Sequence, residues 1–221
     1  MKTDELISAI QKGETQKVAA LLDEDRSLLK AKSGNVTAIL LALYHEHPEI
    51  AQLFVQRGAE LNFAEACALG DRKRAMELLE RDPLRLNMYS ADGFPPLGLA
   101  IFFRHPDLAR ELIERGADVN AVATNPQHVA PVHAAATVQD HATMKLLLER
   151  GADPNARQQM GFTPFHGAAS RGDIEMAKLL IEHGADPHAR TDDSKDAIDI
   201  AEKYGQPAFA EWMRGRVSGA L

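Results

Sequence analysis

Nine histidines, one cysteine and several acidic clusters are the side chains of this 221-residue chain whose types suit chemistry. Histidines bind metal ions, but a structural zinc site needs four converging ligands and a catalytic zinc site needs three. His45 and His47 are two positions apart and diverge on a helix, and His183 and His188 flank a loop with no cysteine nearby. The sequence therefore predicts no metal site and no cofactor.

Catalytic motifs are also absent from the sequence. Cys67 lies in the segment NFAEACALGD, where no base stands beside it, and is predicted to be a packing residue rather than a nucleophile. The chain has no glycine-rich phosphate loop, no HExxH motif and no GxSxG motif. We therefore expect that the protein is not an enzyme.

Composition and charge exclude several kinds of partner. With 45% hydrophobic and 26% charged residues, the chain is apolar enough to fold, and a net charge of -7 argues against binding to nucleic acid. No apolar run is long enough to cross a membrane, so no membrane partner is expected. A single cysteine cannot form an internal disulfide, and no leader-like segment opens the sequence, which together predict a cytoplasmic location.

An internal repeat predicts the elements that position the side chains. The segment GFTPFHGAASRGDIEMAKLLIEHGADPHAR is echoed upstream by HVAPVHAAATVQDHATMKLLLERGADPNAR, so that His133 and His166 are 33 positions apart. A further copy begins at Gly93, with two extra residues after Ala121, and weaker copies precede it. A period of this length predicts stacked supersecondary units in place of a single globular core.

Each unit is predicted to be a turn followed by two antiparallel helices. In the clearest copy, Thr163 is placed to cap the first helix with its hydroxyl, and Pro164 suits the first helical position. Gly172 would end that helix in the left-handed conformation, whereas other copies have Glu46, Arg104 or Gln139 there, which predicts strain or a different cap. The second helix is predicted to stop at a glycine in the clearest copies: Gly116, Gly151 and Gly184.

The sequence TPFHGAA, followed by Gly-Asp and closed by LLIEHGADPHA, resembles the ankyrin repeat. The resemblance implies an all-α solenoid of about seven helix-turn-helix units, with short β-hairpin-like fingers and polar caps. It also implies that His133 and His166 bridge backbone groups and stiffen their turns, and it implies no catalytic residue. The whole chain, 1–221, is then one domain, with caps at 1–31 and 191–221 and repeats at 32–62, 63–88, 89–123, 124–157 and 158–190.

The same resemblance places partner contacts on the fingers and on the residues just before each helix break. Aromatic side chains there are the strongest anchor candidates, although either Phe102 or Phe103 could instead fill a gap between helices, so that only one need be exposed. A finger is missing between the first two repeats, which is expected to interrupt the groove. The predicted partner-binding residues are Tyr44, His45, Met88, Tyr89, Phe94, Phe102, Phe103, His128, Val129, Val138, Met160, Phe162 and Arg171.

The sequence thus predicts a non-catalytic scaffold, adaptor or inhibitor that holds an unidentified partner protein on a concave surface of fingers and inner helices. The alternative is self-association, in which the same aromatic surface forms a homodimer.

Overall fold

The computed structural model describes residues 2–217, and its fourteen α-helices follow one another in pairs. Each pair lies within one of the seven predicted segments, while Met1 and residues 218–221 of the two predicted caps lie outside the described residues. The pairs are α1 (Lys2–Gln11) and α2 (Thr15–Glu24), α3 (Ala38–Tyr44) and α4 (Pro48–Gln56), α5 (Phe63–Leu69) and α6 (Arg72–Arg81), α7 (Pro96–Phe102) and α8 (Pro106–Glu114), α9 (Pro131–Val138) and α10 (His141–Glu149), α11 (Pro164–Arg171) and α12 (Ile174–Glu182), and α13 (Ala197–Lys203) and α14 (Pro207–Val217).

The first helices of the pairs form a continuous row in which each contacts the next, from α1 to α13. Small side chains allow this close approach, because Ala100, Ala135 and Ala168 are fully buried on three consecutive first helices. The second helices cover the row from one side, with contacts between α2 and α4 and from α8 through α10 to α12. The predicted all-α solenoid is confirmed.

The turn between the two helices of a pair passes through left-handed backbone in every unit of the described chain. Gly172 has φ of +68°, and Gln139 has φ of +57° at the equivalent place without being a glycine. A non-glycine residue there costs on the order of 1 kcal/mol, and side chains at two such turns gain a contact with the next unit. Gln139 Nε2 donates to Asp173 Oδ2 at 3.3 Å, and Arg104 Nη1 donates to the Val138 carbonyl at 2.9 Å.

Imidazole rings hold the turns that precede α9 and α11. His133 Nδ1 accepts the Ala130 N–H at 3.1 Å, and its Nε2 lies 2.9 Å from the Ala156 carbonyl in the next finger. At α11 the expected cap by the Thr163 hydroxyl is replaced by a different one. His166 Nδ1 accepts the Thr163 N–H at 3.2 Å and lies 2.9 Å from the Thr163 hydroxyl, which makes no cap bond to the helix backbone.

The fingers are narrow turns on one edge of the solenoid. The first is a β-hairpin in which β1 (Lys32–Ser33) pairs with β2 (Val36–Thr37) in antiparallel register. No finger precedes α5, because Asn62 caps that helix directly: its Oδ1 accepts the Glu65 N–H at 3.0 Å, and Glu65 Oε2 accepts the Asn62 N–H at 2.9 Å. The chain therefore passes straight from one unit into the next at this point.

The later fingers are joined to one another by backbone hydrogen bonds. Thr124 N–H donates to the Gly93 carbonyl, Gln159 N–H to the Gln127 carbonyl and Asp192 N–H to the Met160 carbonyl, each at 2.9 Å. The central finger is thus bonded to the fingers on both sides, through Thr124 and Gln127. The fingers between residues 90 and 195 therefore form one hydrogen-bonded edge of the solenoid.

Candidate functional site

A long cavity follows the helix breaks of five successive units. It encloses about 870 Å³ and is lined by residues from α3 to α11, and we call it the inner groove. The residues that line it and carry the argument below are Tyr44, Glu46, Glu49, Leu69, Phe102, Phe103, Arg104, Thr137 and Arg171.

Phe102 and Phe103 have different environments in the inner groove. Phe102 is 45% exposed, whereas Phe103 is half-buried and packs against the hydrophobic core. Their rings meet edge to face, with centroids 5.2 Å apart and planes at 85°. Phe103 therefore fixes the orientation of Phe102, which presents an apolar surface to a ligand.

Tyr44 spans the position of the missing finger. Its ring stacks on Phe103 at 5.8 Å, packs against Phe94 at 6.1 Å, and its hydroxyl donates to Asp92 Oδ2 at 2.7 Å. Burial and then the bond to Asp92 raise the pKa of the hydroxyl, so it remains a donor at neutral pH.

The expectation of an interrupted groove is wrong. The inner groove runs from Tyr44 past Leu69 to Phe102 without a break. Deleting the finger shortens the edge of the solenoid, whereas the groove is formed by the row of first helices, which is complete.

We expect Tyr44→Phe to lower the free energy of unfolding by about 1–2 kcal/mol, because it removes a hydrogen bond to a carboxylate while keeping the ring. Urea denaturation measures the loss. Tyr204→Phe is the matched control, because Tyr204 is exposed and no protein group accepts a bond from its hydroxyl in the described chain. Equal stability of the Tyr44 and Tyr204 variants would show that the bond to Asp92 contributes nothing.

A second cavity of about 690 Å³ lies between the last fingers and α13. Met160 is 56% exposed there, and Val129, Phe162 and Tyr204 add further apolar surface. His128, next to Val129, is exposed and has φ of +52°, so it takes the left-handed position that Gly93 occupies in the preceding finger. The two cavities lie at different parts of the predicted binding surface.

Val138 lines the inner groove, but it contributes little exposed surface there. It is only 7% exposed, because it packs into the core between neighbouring first helices. Tyr44, Phe94 and Phe162 are half-buried as well. Phe103 and Val129 are half-buried too, and the remaining predicted contacts are exposed: His45, Met88, Tyr89, Phe102, His128, Met160 and Arg171.

Sequence reasoning missed two features of the surface. Arg104 was assigned only to a helix break, yet its side chain lines the inner groove. Leu84 is 79% exposed in the turn that follows α6, outside the cavities described above. Arg104 follows Phe103 directly in the sequence, and this position could have indicated that it lines the groove. Nothing in the repeat pattern indicates that Leu84 is exposed.

Cys67 is buried and its thiol is held neutral. Burial raises the pKa of the Cys67 thiol, and the residue is enclosed by the core. Between residues 2 and 217, no three side chains among His, Cys, Asp and Glu come together in a way that suits a metal ion. None of the helices in that range is both long and apolar enough to span a bilayer.

Comparison with known proteins finds the same repeat in the sequence. Residues 132–216 match a family described as "Ankyrin repeats (3 copies)", and residues 92–124 match "Ankyrin repeat". The chain is also similar to transient receptor potential cation channel subfamily V member 6 of Rattus norvegicus, with 32% identity over 158 residues. That match covers 63% of this chain and 20% of the channel, so the chain spans about a fifth of the length of this relative.

Proposed function

Because the chain belongs to the ankyrin-repeat family, whose repeats generally mediate protein–protein interactions, we propose that it is a non-catalytic binding module that holds a partner protein in the inner groove. It would act as a scaffold, an adaptor or an inhibitor that covers a surface of its partner. A cytoplasmic location stays a prediction from the sequence.

The exposed ring of Phe102 is the observation that supports this proposal. Large aromatic side chains are usually buried, and an exposed one held rigidly in a cavity is typical of an interface anchor. Phe102 stands beside Phe103, Leu69 and Thr137 on three neighbouring first helices, so a ligand side chain that covers it would be surrounded. Phe102 is 45% exposed, so burying the rest of its surface on binding would contribute about 1 kcal/mol.

The test is affinity capture from a lysate, comparing the wild-type chain with Phe102→Ala. Leu84→Ala is the control, because it removes an even more exposed apolar side chain outside the inner groove. We expect one protein to be captured by the wild type and by Leu84→Ala, and to be lost with Phe102→Ala. A protein captured equally by all three chains would exclude the inner groove as its binding surface.

Self-association through the same surface is the alternative, and the same variants test it. Analytical ultracentrifugation of the wild type alone would then show a dimer at rising protein concentration, and Phe102→Ala would be a monomer. If the wild type remains monomeric as its concentration rises, self-association through this surface is ruled out.

A further inference from the structure

The charges in the inner groove are separated along the solenoid. Glu46 and Glu49 line its N-terminal end and Arg171 lines its C-terminal end, while Arg104 is in the same unit as Phe102 and its side chain reaches the Val138 carbonyl of the next unit. All four charged residues are exposed. The basic end stands out on a chain whose net charge is -7.

The two guanidinium groups are available to a ligand. Arg104 gives one N–H to the Val138 carbonyl, and within residues 2–217 neither Arg104 nor Arg171 lies within ion-pair distance of a carboxylate. Some other arginines are paired, as Arg57 is with Asp23 at 2.9 Å and Arg157 with Asp192 at 2.9 Å. A guanidinium beside an apolar surface binds carboxylates well, because its planar donors match their geometry and it is weakly hydrated.

The neighbouring cavity does not share this separation. Lys195 and Lys203 line it, but Asp193 and Asp199 alternate with them along the chain, so the two signs are mixed there. Of these two cavities, only the inner groove has a basic part, at Arg104 and Arg171.

We propose that the inner groove binds an acidic segment of a partner protein, in which an apolar side chain covers Phe102 and the residues beyond it place carboxylates on Arg104 and Arg171. Glu46 and Glu49 repel carboxylates at the other end and so set the direction in which the segment lies. This inference rests on the proposed function, to which it adds the chemistry of the partner.

The experiment is a selection of short random peptides, displayed on phage, against the immobilised wild-type chain. Peptides that also bind Phe102→Ala are removed. We expect the survivors to combine an apolar residue with a run of Asp or Glu on one side of it. Their affinity should fall with added salt, since exposed charge pairs are screened.

A double reversal, Arg104→Glu with Arg171→Glu, tests the assignment of the charges. It is expected to weaken binding of the selected acidic peptides by about tenfold or more, which corresponds to about 1.4 kcal/mol. The matched control is Arg110→Glu with Arg150→Glu, which makes the same change of net charge at exposed positions outside the inner groove. The control should bind the peptides like the wild type.

The possible outcomes separate the two proposals. Neutral or basic peptides that depend on Phe102 would overturn the acidic partner and leave the inner groove as a binding site. Equal losses of peptide affinity in the double reversal and in its control would also overturn the acidic partner. The net charge of the chain alone would then explain the preference for acidic peptides. A selection that enriches no peptide dependent on Phe102 would overturn the proposed function itself.

Discussion

Phe165→Ala is expected to lower the free energy of unfolding by about 3–5 kcal/mol, the range typical of a large aromatic residue removed from a core. Phe165 on α11 is 1% exposed and meets Phe209 of α14 edge to face, with ring centroids 6.1 Å apart. Phe209 in turn packs against Trp212 at 5.3 Å. The substitution therefore leaves a cavity between the last repeat and the pair α13–α14.

Chemical denaturation measures the total decrease in the free energy of unfolding. Hydrogen exchange shows which helices lose protection. Because each unit contacts mainly its neighbours, the amides of α13 and α14 should lose protection first, while those of α3 and α4 keep theirs. Phe102→Ala is the matched control, since the same atoms are removed from an exposed side chain and the expected cost is below about 1 kcal/mol. Similar losses for the two variants would contradict the predicted packing.

Acidification from about pH 7 to about pH 5 is expected to remove about 2 kcal/mol of stability through His133 alone. Burial lowers the pKa of His133 to about 4 from an ordinary value of 6.5, and the bonds to the Ala156 and Phe162 carbonyls only partly oppose it. Between pH 6.5 and about pH 4, the His133 imidazole is protonated in the unfolded chain and neutral in the folded protein. The stabilisation is therefore complete above about pH 6.5 and is lost as the pH falls toward 4.

His133→Asn separates this effect from the titration of other groups. The variant should be less stable than the wild type near neutral pH, because it loses the bridge between Ala130 and Ala156, and its stability should fall less steeply on acidification. Burial also lowers the pKa of His166, so some dependence remains in the variant. Parallel curves of melting temperature against pH would show that His133 does not carry the predicted proton linkage.

The repeats could be predicted from the sequence because their signals are local. Pro164 at a first helical position and Gly172 at a helix break act on the backbone within one unit, and a period of 33 places Pro131 and Gln139 at the equivalent positions. The left-handed backbone at Glu46, Arg104 and Gln139 follows from the same register. These features need no knowledge of the neighbouring units.

The details of the inner groove could not be predicted, because they depend on contacts between units. Tyr44 and Asp92 are 48 positions apart, and no spacing rule indicates that they meet. The sequence offered Val138 and Arg171 as equivalent neighbours of a helix break, yet packing buries the first and exposes the second. Thr163 was expected to cap α11, but the ring of His166 competes for its hydroxyl.

The contact that Tyr44 makes with Phe103 and Asp92 has a consequence for how the solenoid melts. A stack of repeats is commonly described as a one-dimensional lattice in which each site couples only to the next. Here a side chain of the repeat at 32–62 couples directly to the repeat at 89–123 and skips the one between them. A second coupling constant is then needed, and it makes states in which only one of the two outer repeats is ordered less populated. The N-terminal three repeats should therefore behave as one cooperative block.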